Sequence, residues 1–140
     1  MVSDFFMSLR GSQSASHWTH RGLFIGEGAV VNMQEGTVVL DRCRVEVYHG
    51  GVLSAPGLRV QGVYDYAVVA GHGAKVNLPG LTVVGPGKNA TVNTPWGGVN
   101  ITQGVLGMTG AQIVMPNAAL SEVVSGVTAD MGAVVTANGT

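Results

Sequence analysis

The sequence predicts an all-β fold, a single-stranded right-handed parallel β-helix of about five coils with roughly 22 residues each. Short segments that alternate apolar with polar residues recur at one spacing, and Pro-Gly or Gly-rich turns separate them. The composition agrees with many short strands and tight turns, because 22 of the 140 residues are Gly and only 11% are charged. In such a solenoid each coil consists of three strands and three corners, and hydrogen bonds join coils that lie about 4.8 Å apart.

Three interleaved series of residues carry the repeat. Apolar–polar–apolar triplets are centred on residues spaced by 22, 23, 23 and 21, namely Asn32, Ser54, Asn77, Asn100 and Ser121. A second series consists of Gly36, Gly57, Gly80, Gly104 and Gly126, and a third consists of Val45, Val68, Val92, Ile113 and Val135. A shared period favours stacked coils over β-hairpins, which need no common period. Right-handed coiling is expected from the strong preference of parallel crossover connections.

The alternation also predicts which side chains face inward. One inward ladder is expected from the residues that open the triplets, Val31, Leu53, Val76, Val99 and Leu120. The valine-rich third series forms another inward ladder, and the triplet centres, such as Asn77, form a polar outward ladder. Cys43 is expected inside, because it starts the alternation that places Val45 inside.

The chain is expected to divide into an N-terminal cap segment over residues 1–21 and a parallel β-helix domain over residues 22–140. Ser3 or Asp4 can cap a short helix that would cover the open end of the first coil. The apolar side of this helix would consist of Phe5, Phe6 and Leu9. The other end shows no charged or helical cap, which predicts either a longer protein or coverage by another chain.

The charge balance excludes several classes of partner. A net charge of −1 gives no electrostatic footprint for nucleic acid or for an anionic membrane, and no apolar run is long enough for membrane insertion. A single cysteine excludes an internal disulfide. No motif in the sequence predicts a cofactor.

The coil phrases GAKVNL, PGLTVVG and NATVNT, all between Gly73 and Thr94, resemble the right-handed β-helices of bacteriophage tailspikes and tail fibres and of related viral surface proteins. The resemblance covers about residues 22–140 and implies a homotrimer of side-by-side β-helices that binds or cleaves a cell-surface polysaccharide. It implies a structural, receptor-binding protein on the tail or capsid surface of a virion. The alternatives are a polysaccharide depolymerase on the same scaffold and an adhesin or autotransporter passenger segment at a bacterial surface.

No catalytic motif of the tailspike family has a counterpart in this chain, so a non-enzymatic function is favoured and no catalytic residue is assigned. Glycosidic cleavage needs two carboxylates at a defined separation, and the chain has eight acidic residues. The repeat spacing of 23 aligns Arg42, Asp65 and Lys88 in one outward column, where Asp65 would pair with its neighbours. Glu46 also faces outward near Arg44. Solvated surface charge explains these residues better than a hydrolytic pair, although a neighbouring chain could supply a second acid.

Aromatic and imidazole rings recur at one corner of the predicted coil. His49, His72 and Trp96 each precede a Gly, in HGG, HGA and WGG, and spacings of 23 and 24 stack them in one column. We interpret this corner stack as structural, because two histidines without a third ligand make a weak metal site.

A longer corner carries the candidate contact residues. Tyr64, Asp65 and Tyr66 lie there, and Tyr combines an apolar face with a polar tip that suits glycan or protein contact. Together with Trp96 they are the candidate glycan- or partner-binding residues. Ordinary shielding of the corner is the alternative interpretation.

The distribution of charge predicts self-association. Residues 89–140 carry only two charged side chains, Glu122 and Asp130. A free surface normally carries mixed charges for solubility, so this segment is expected to contact other copies of the chain. Closed threefold symmetry would bury it without leaving open edges, which agrees with a homotrimer.

Overall fold

The chain folds as an all-β parallel solenoid. The structure, a computed structural model, describes residues 6–10, 20–34, 37–63, 65–86, 92–94, 97–99 and 103–140. Every regular element in these ranges is a β-strand. The described part of the chain contains no helix long and apolar enough to span a membrane.

Three parallel sheets form the sides of the solenoid. Sheet A consists, in spatial order, of β1 (Phe6–Arg10), β4 (Thr37–Asp41), β7 (Leu58–Gln61), β10 (Thr82–Val84) and β15 (Ala119–Ser121). Sheet B consists of β2 (His20–Ile25), β5 (Cys43–Val47), β8 (Tyr66–Ala70), β13 (Gln103–Gly107) and β16 (Ser125–Ala129). Sheet C consists of β3 (Val30–Asn32), β6 (Val52–Ser54), β9 (Lys75–Asn77), β14 (Gln112–Val114) and β17 (Val134–Thr136).

The order of these strands confirms the predicted parallel β-helix. Neighbouring strands within sheets A, B and C all run parallel. The chain passes from sheet B to sheet C to sheet A and back to sheet B, which gives four complete coils. The strand β1 precedes these coils, and β16 with β17 forms a partial coil after them.

The interior is a stack of aliphatic side chains. The parallel register places one residue of each coil beside the equivalent residue of the next coil, and on sheet C this line is Val31, Leu53, Val76, Ile113 and Val135. In the middle coils Leu53, Val76 and Ile113 are at most 2% exposed. Full burial of such a side chain contributes roughly 1.5–3 kcal/mol, so these ladders supply much of the stability of the solenoid.

The predicted register is correct through the third coil and wrong after it. The spacings along the line on sheet C are 22, 23, 37 and 22, so one step is 14 residues longer than the step before it (37 − 23 = 14). The added length contains an antiparallel hairpin of β11 (Val92–Thr94) and β12 (Gly97–Val99). Val92 and Val99 pair with each other in this hairpin, so their predicted stacking on the coils is wrong, and Leu120 belongs to sheet A.

The same insertion displaces later members of the other predicted series. Ile113 and Val135 lie on sheet C, whereas Val68 on sheet B is followed by Val105. Asn100, expected in the outward ladder, lies outside the described residues. The hairpin is as rich in Gly, Asn, Thr and Val as the coils are. A repeat predicted from composition therefore continues through this segment, although its two strands pair with each other and not with a coil.

A strand replaces the helix expected near the N-terminus. Phe6–Arg10 pairs in parallel with Thr37–Asp41, so the predicted helix is wrong for these residues. The unpaired edge of the first coil offers hydrogen-bond partners to this segment, whereas an isolated helix of its length is marginal. Both β1 and the start of β2 at His20 lie inside the segment 1–21 that we expect to form the cap.

Two of the three corners repeat with little change. Between sheets B and C the first turn residue has a φ of 47–53° although it is never Gly, at Glu27, His49, His72, Thr109 and Met131. Each is followed by a Gly with a φ of 73–80°, so both central residues have the left-handed backbone of a type I′ turn. Between sheets C and A the residues with positive φ are Gly57, Gly80, Asn117 and Gly139.

The third corner, between sheets A and B, varies in length. It consists of residue 42 in one coil and of residues 62–65, 85–102 and 122–124 in the following coils. Insertions that are restricted to one corner of a repeat protein often mark its binding face. This corner borders the outer face of sheet B, so a binding site is expected on that face.

The variant Val76→Asp tests the core register. Because Val76 is 2% exposed in an apolar stack, an unpaired carboxylate there should lower the free energy of unfolding by more than about 4 kcal/mol. Asn77→Asp places the same charge on an exposed neighbour and should change that free energy by about 0.5 kcal/mol or less. Chemical denaturation measures both values, and equal losses would contradict the register.

The variant Thr109→Asn tests the strain at the corner between sheets B and C. A β-branched residue is disfavoured at the φ of 47° that Thr109 adopts, and Asn tolerates this region better. The change should raise the free energy of unfolding by up to about 1 kcal/mol. Thr136→Asn, on an exposed strand position, is the matched control and should not stabilise the protein. A lower melting temperature for Thr109→Asn would show that its side-chain contacts outweigh backbone strain.

Candidate functional site

A cleft of about 340 Å³ lies on the outer face of sheet B. The strand β5 supplies one wall, because its inward residues Cys43, Val45 and Val47 are buried and the residues between them face outward. Arg44, Glu46 and Tyr48, just beyond the strand, line the cleft from this side. The next two coils complete it with Asp65, Tyr66, Val69, Leu106 and Met108.

Register explains how residues that are distant in sequence meet here. Glu46, Val69 and Leu106 occupy one outward line across three strands, since β5 pairs with β8 and β8 pairs with β13. The cleft therefore has an apolar part from Val69, Leu106 and Met108 beside a charged part. A surface of this kind can hold a ligand that has both an apolar face and hydrogen-bonding groups.

One guanidinium joins two carboxylates in the charged part. Arg44 Nη1 donates a hydrogen bond to Asp65 Oδ2, and Arg44 Nη2 donates to Glu46 Oε1 at 3.2 Å. The side chains of Arg44, Glu46 and Asp65 are only 19%, 6% and 4% exposed. The formal charges of this three-residue ion cluster sum to −1, and its low exposure keeps the screening of these contacts by solvent weak.

Corner length places Asp65 within reach of Arg44. On sheet A, Asp41 pairs with Gln61, 20 residues later, whereas on sheet B, Val45 pairs with Val68, 23 residues later. The corner over residues 62–65 is therefore three residues longer than its predecessor (23 − 20 = 3). The added backbone moves Asp65 away from the line on which Arg42 lies.

Tyr48 forms an aromatic boundary to the cleft. A Cβ on Gly71, in the next coil, would lie 3.1 Å from Tyr48 Cε1, so the ring packs tightly against the backbone of Gly71. The ring centroid is 6.3 Å from that of Phe24 and 5.7 Å from that of His72. Neighbouring rings and the bare backbone of Gly71 thus fix the orientation of the Tyr48 ring.

The His49 and His72 rings stack at the adjacent corner. Their centroids are 4.9 Å apart with an interplanar angle of 6°, and both side chains are exposed. The peptide N–H of Gly73 bonds to Thr109 O at 3.0 Å, so Thr109 follows His72 in this line. Trp96 lies outside the described residues. Among the residues described, no group of three or more His, Cys, Asp and Glu side chains is placed to hold a metal ion.

The structure brings some of the sequence-predicted residues together and separates others. Asp65 and Tyr66 line the cleft, whereas Tyr64 and Lys88 lie outside the described residues. Arg42 lies next to Gly62, where an added Cβ would be 3.4 Å from Arg42 Cγ. The alignment of Arg42 with Asp65 in one column is therefore off by the three residues of the longer corner.

Sequence analysis places Glu46 outward near Arg44 but assigns neither residue to a binding site, and it does not single out Tyr48 or the apolar residues Val69, Leu106 and Met108. The signal is the stretch Arg-Val-Glu-Val-Tyr, which alternates buried valines with large outward side chains. Two adjacent outward charges are uncommon in a chain with only 11% charged residues. That density of polar groups on one strand was the available indication of a site.

Comparison with known proteins identifies no relative of this chain. No protein-family model matches it, and searches of the curated proteins and of the solved structures find no match.

The variant Arg44→Met tests the ion cluster. Loss of the guanidinium leaves two carboxylates in a poorly exposed place, so the free energy of unfolding should fall by about 3 kcal/mol. The triple variant Arg44→Met, Glu46→Gln, Asp65→Asn removes all three charges and should recover most of this loss. Denaturant titration measures both proteins. A triple variant no more stable than Arg44→Met would show that charge pairing does not stabilise this cluster.

Proposed function

We propose that this chain is a structural, receptor-binding β-solenoid that attaches to a cell-surface glycan through the cleft on sheet B. The observation that carries the proposal is the juxtaposition of the three-residue ion cluster with the oriented Tyr48 ring in one cleft. A pyranose ring has an apolar face that packs on an aromatic ring, and its hydroxyl groups bond to charged side chains. The volume of about 340 Å³ suits one or two sugar residues.

The architecture around the cleft supports an attachment role. The coils form a rigid in-register stack, and the corner that varies in length borders the face that carries the cleft. We place this protein on the tail or capsid surface of a virus particle, in agreement with the resemblance of its coil phrases to tailspikes and tail fibres. A bacterial surface adhesin would use the same geometry.

Assembly as a homotrimer belongs to the same proposal. Large apolar side chains are exposed in the last coil, within the segment 89–140 that we expect to contact other copies. They are Val124, Val127, Met131 and Val134. Contacts between copies would cover these side chains.

Polysaccharide hydrolysis is the second candidate function. Glu46 and Asp65 are two carboxylates in one cleft, which is the residue pair that glycoside hydrolysis requires. Release of reducing ends from purified capsule or lipopolysaccharide would support the enzyme, and binding without turnover would support the attachment protein.

The variant Tyr48→Ala tests glycan attachment. Loss of the aromatic face should weaken binding to glycans on an array about tenfold, since an aromatic contact contributes roughly 0.5–1.5 kcal/mol beyond area burial. Gly71→Ala should weaken binding less, because its new Cβ forces the Tyr48 ring to shift by a few tenths of an ångström without removing it. The control Val30→Ala changes an exposed residue on sheet C, outside the segment expected to contact other copies, and should bind as the parent protein does.

Two results would contradict the proposal. One is unchanged glycan binding by Tyr48→Ala in a protein whose melting temperature is also unchanged. The other is failure of the parent protein to bind any glycan on the array.

A further inference from the structure

The ion cluster limits the charge of the ligand that the cleft can take. Among the described residues that line the cleft, Arg44 is the only cation. Both of its terminal nitrogens already donate to carboxylates, Nη1 to Asp65 and Nη2 to Glu46. An acidic sugar is usually held by a guanidinium that offers two parallel N–H donors to the ligand carboxylate.

Capture of an acidic sugar would bring a third carboxylate to the cluster. Each terminal nitrogen of Arg44 holds one carboxylate, so a ligand carboxylate on the remaining N–H groups of Arg44 would lie beside Glu46 and Asp65. Glu46 and Asp65, whose side chains are 6% and 4% exposed, would repel the carboxylate of the ligand at short range. The formal charges of Arg44, Glu46 and Asp65 sum to −1, so the cluster gives no net attraction to an anion.

Sugar hydroxyl groups are uncharged and are not repelled by the carboxylates of the cluster. A sugar hydroxyl donates to a carboxylate and accepts from a guanidinium without displacing either, because carboxylates have more than one acceptor site. The apolar part of the cleft, from Val69, Leu106 and Met108, then contacts the ring carbons. A sugar residue without negative charge therefore satisfies both parts of the cleft at once.

We infer that the cleft selects neutral or amino sugars and rejects uronic and sialic acids, and that the Arg44–Glu46–Asp65 cluster sets this selectivity. This inference rests on the proposed function, since it names the class of glycan that the attachment site would bind.

Paired oligosaccharides test the inference on the full chain. The probes are a hexose oligosaccharide and the hexuronate oligosaccharide of the same linkage, in which a carboxylate replaces the C6 hydroxymethyl group. At low salt the neutral probe should bind at least tenfold tighter by calorimetry. The ratio should fall as salt is added, because part of it is electrostatic.

Two variants locate the selectivity. Glu46→Gln removes one charge of the cluster and frees Arg44 from one ionic partner, so the preference for the neutral probe should fall several-fold. Glu27→Gln makes the same chemical change on an exposed residue of the neighbouring corner and should leave the preference unchanged. Circular dichroism at the assay temperature checks that both variants are folded, and Asp65→Asn replaces Glu46→Gln if that variant is not.

The possible outcomes separate the two proposals. Equal or tighter binding of the hexuronate overturns the inference and leaves glycan attachment standing. An equal change in preference for Glu46→Gln and Glu27→Gln also overturns it, because overall charge would then set the selectivity. Failure of both probes and of every glycan on the array overturns the proposed function and the inference with it.

Discussion

Backbone hydrogen bonds between successive coils are the interaction on which the rest of the molecule depends. They continue through the corners as well as the sheets, since Gly50 N donates to His72 O and Gly73 N donates to Thr109 O, both at 3.0 Å. Each corner must therefore present its peptide groups in the direction that the next coil requires. The left-handed backbone of residues such as Thr109 follows from this stacking and overrides the preference of its side chain.

The cleft is a product of the same stacking. Arg44 and Asp65 are 21 residues apart in sequence, yet they share an ion pair because Arg44 lies on β5 and Asp65 directly precedes β8, the neighbouring strand in sheet B. Leu106 reaches the same cleft from the coil after that, although the chain has meanwhile passed through the hairpin. A parallel sheet thus holds most of these side chains at set distances, which reduces the entropy lost when a ligand binds.

Local sequence predicts the fold well where alternation and turn residues agree. Val76 is predicted inside and Asn77 outside, and both lie as expected because Pro79-Gly80 ends the strand segment at the right distance. The later coils are shifted because pairing, and not composition, decides whether Val92 stacks on a coil or folds back on Val99. That choice depends on long-range partners, which a single sequence does not display.

The site is less predictable than the fold for a related reason. Asp65 and Tyr66 are visible as polar and aromatic residues in a long corner, and the alternation around Glu46 is visible too. Their convergence on one cleft depends on the three-residue difference between two corners. An alignment with a constant repeat spacing does not include this difference in corner length. It therefore places Asp65 beside Arg42, whereas Asp65 forms its ion pair with Arg44.

The coils on either side of the longest insertion pair with each other in the regular register. Val83 pairs directly with Leu120, and Val76 pairs directly with Ile113, across a gap of 37 residues in the chain. The coils on either side of the insertion therefore stack through their own strand pairs, and this stacking does not depend on the sequence of the connecting peptide. The corner between Val84 and Gln103 is in effect an exchangeable cassette, in which evolution or an engineer can substitute one displayed peptide for another while the scaffold keeps its shape.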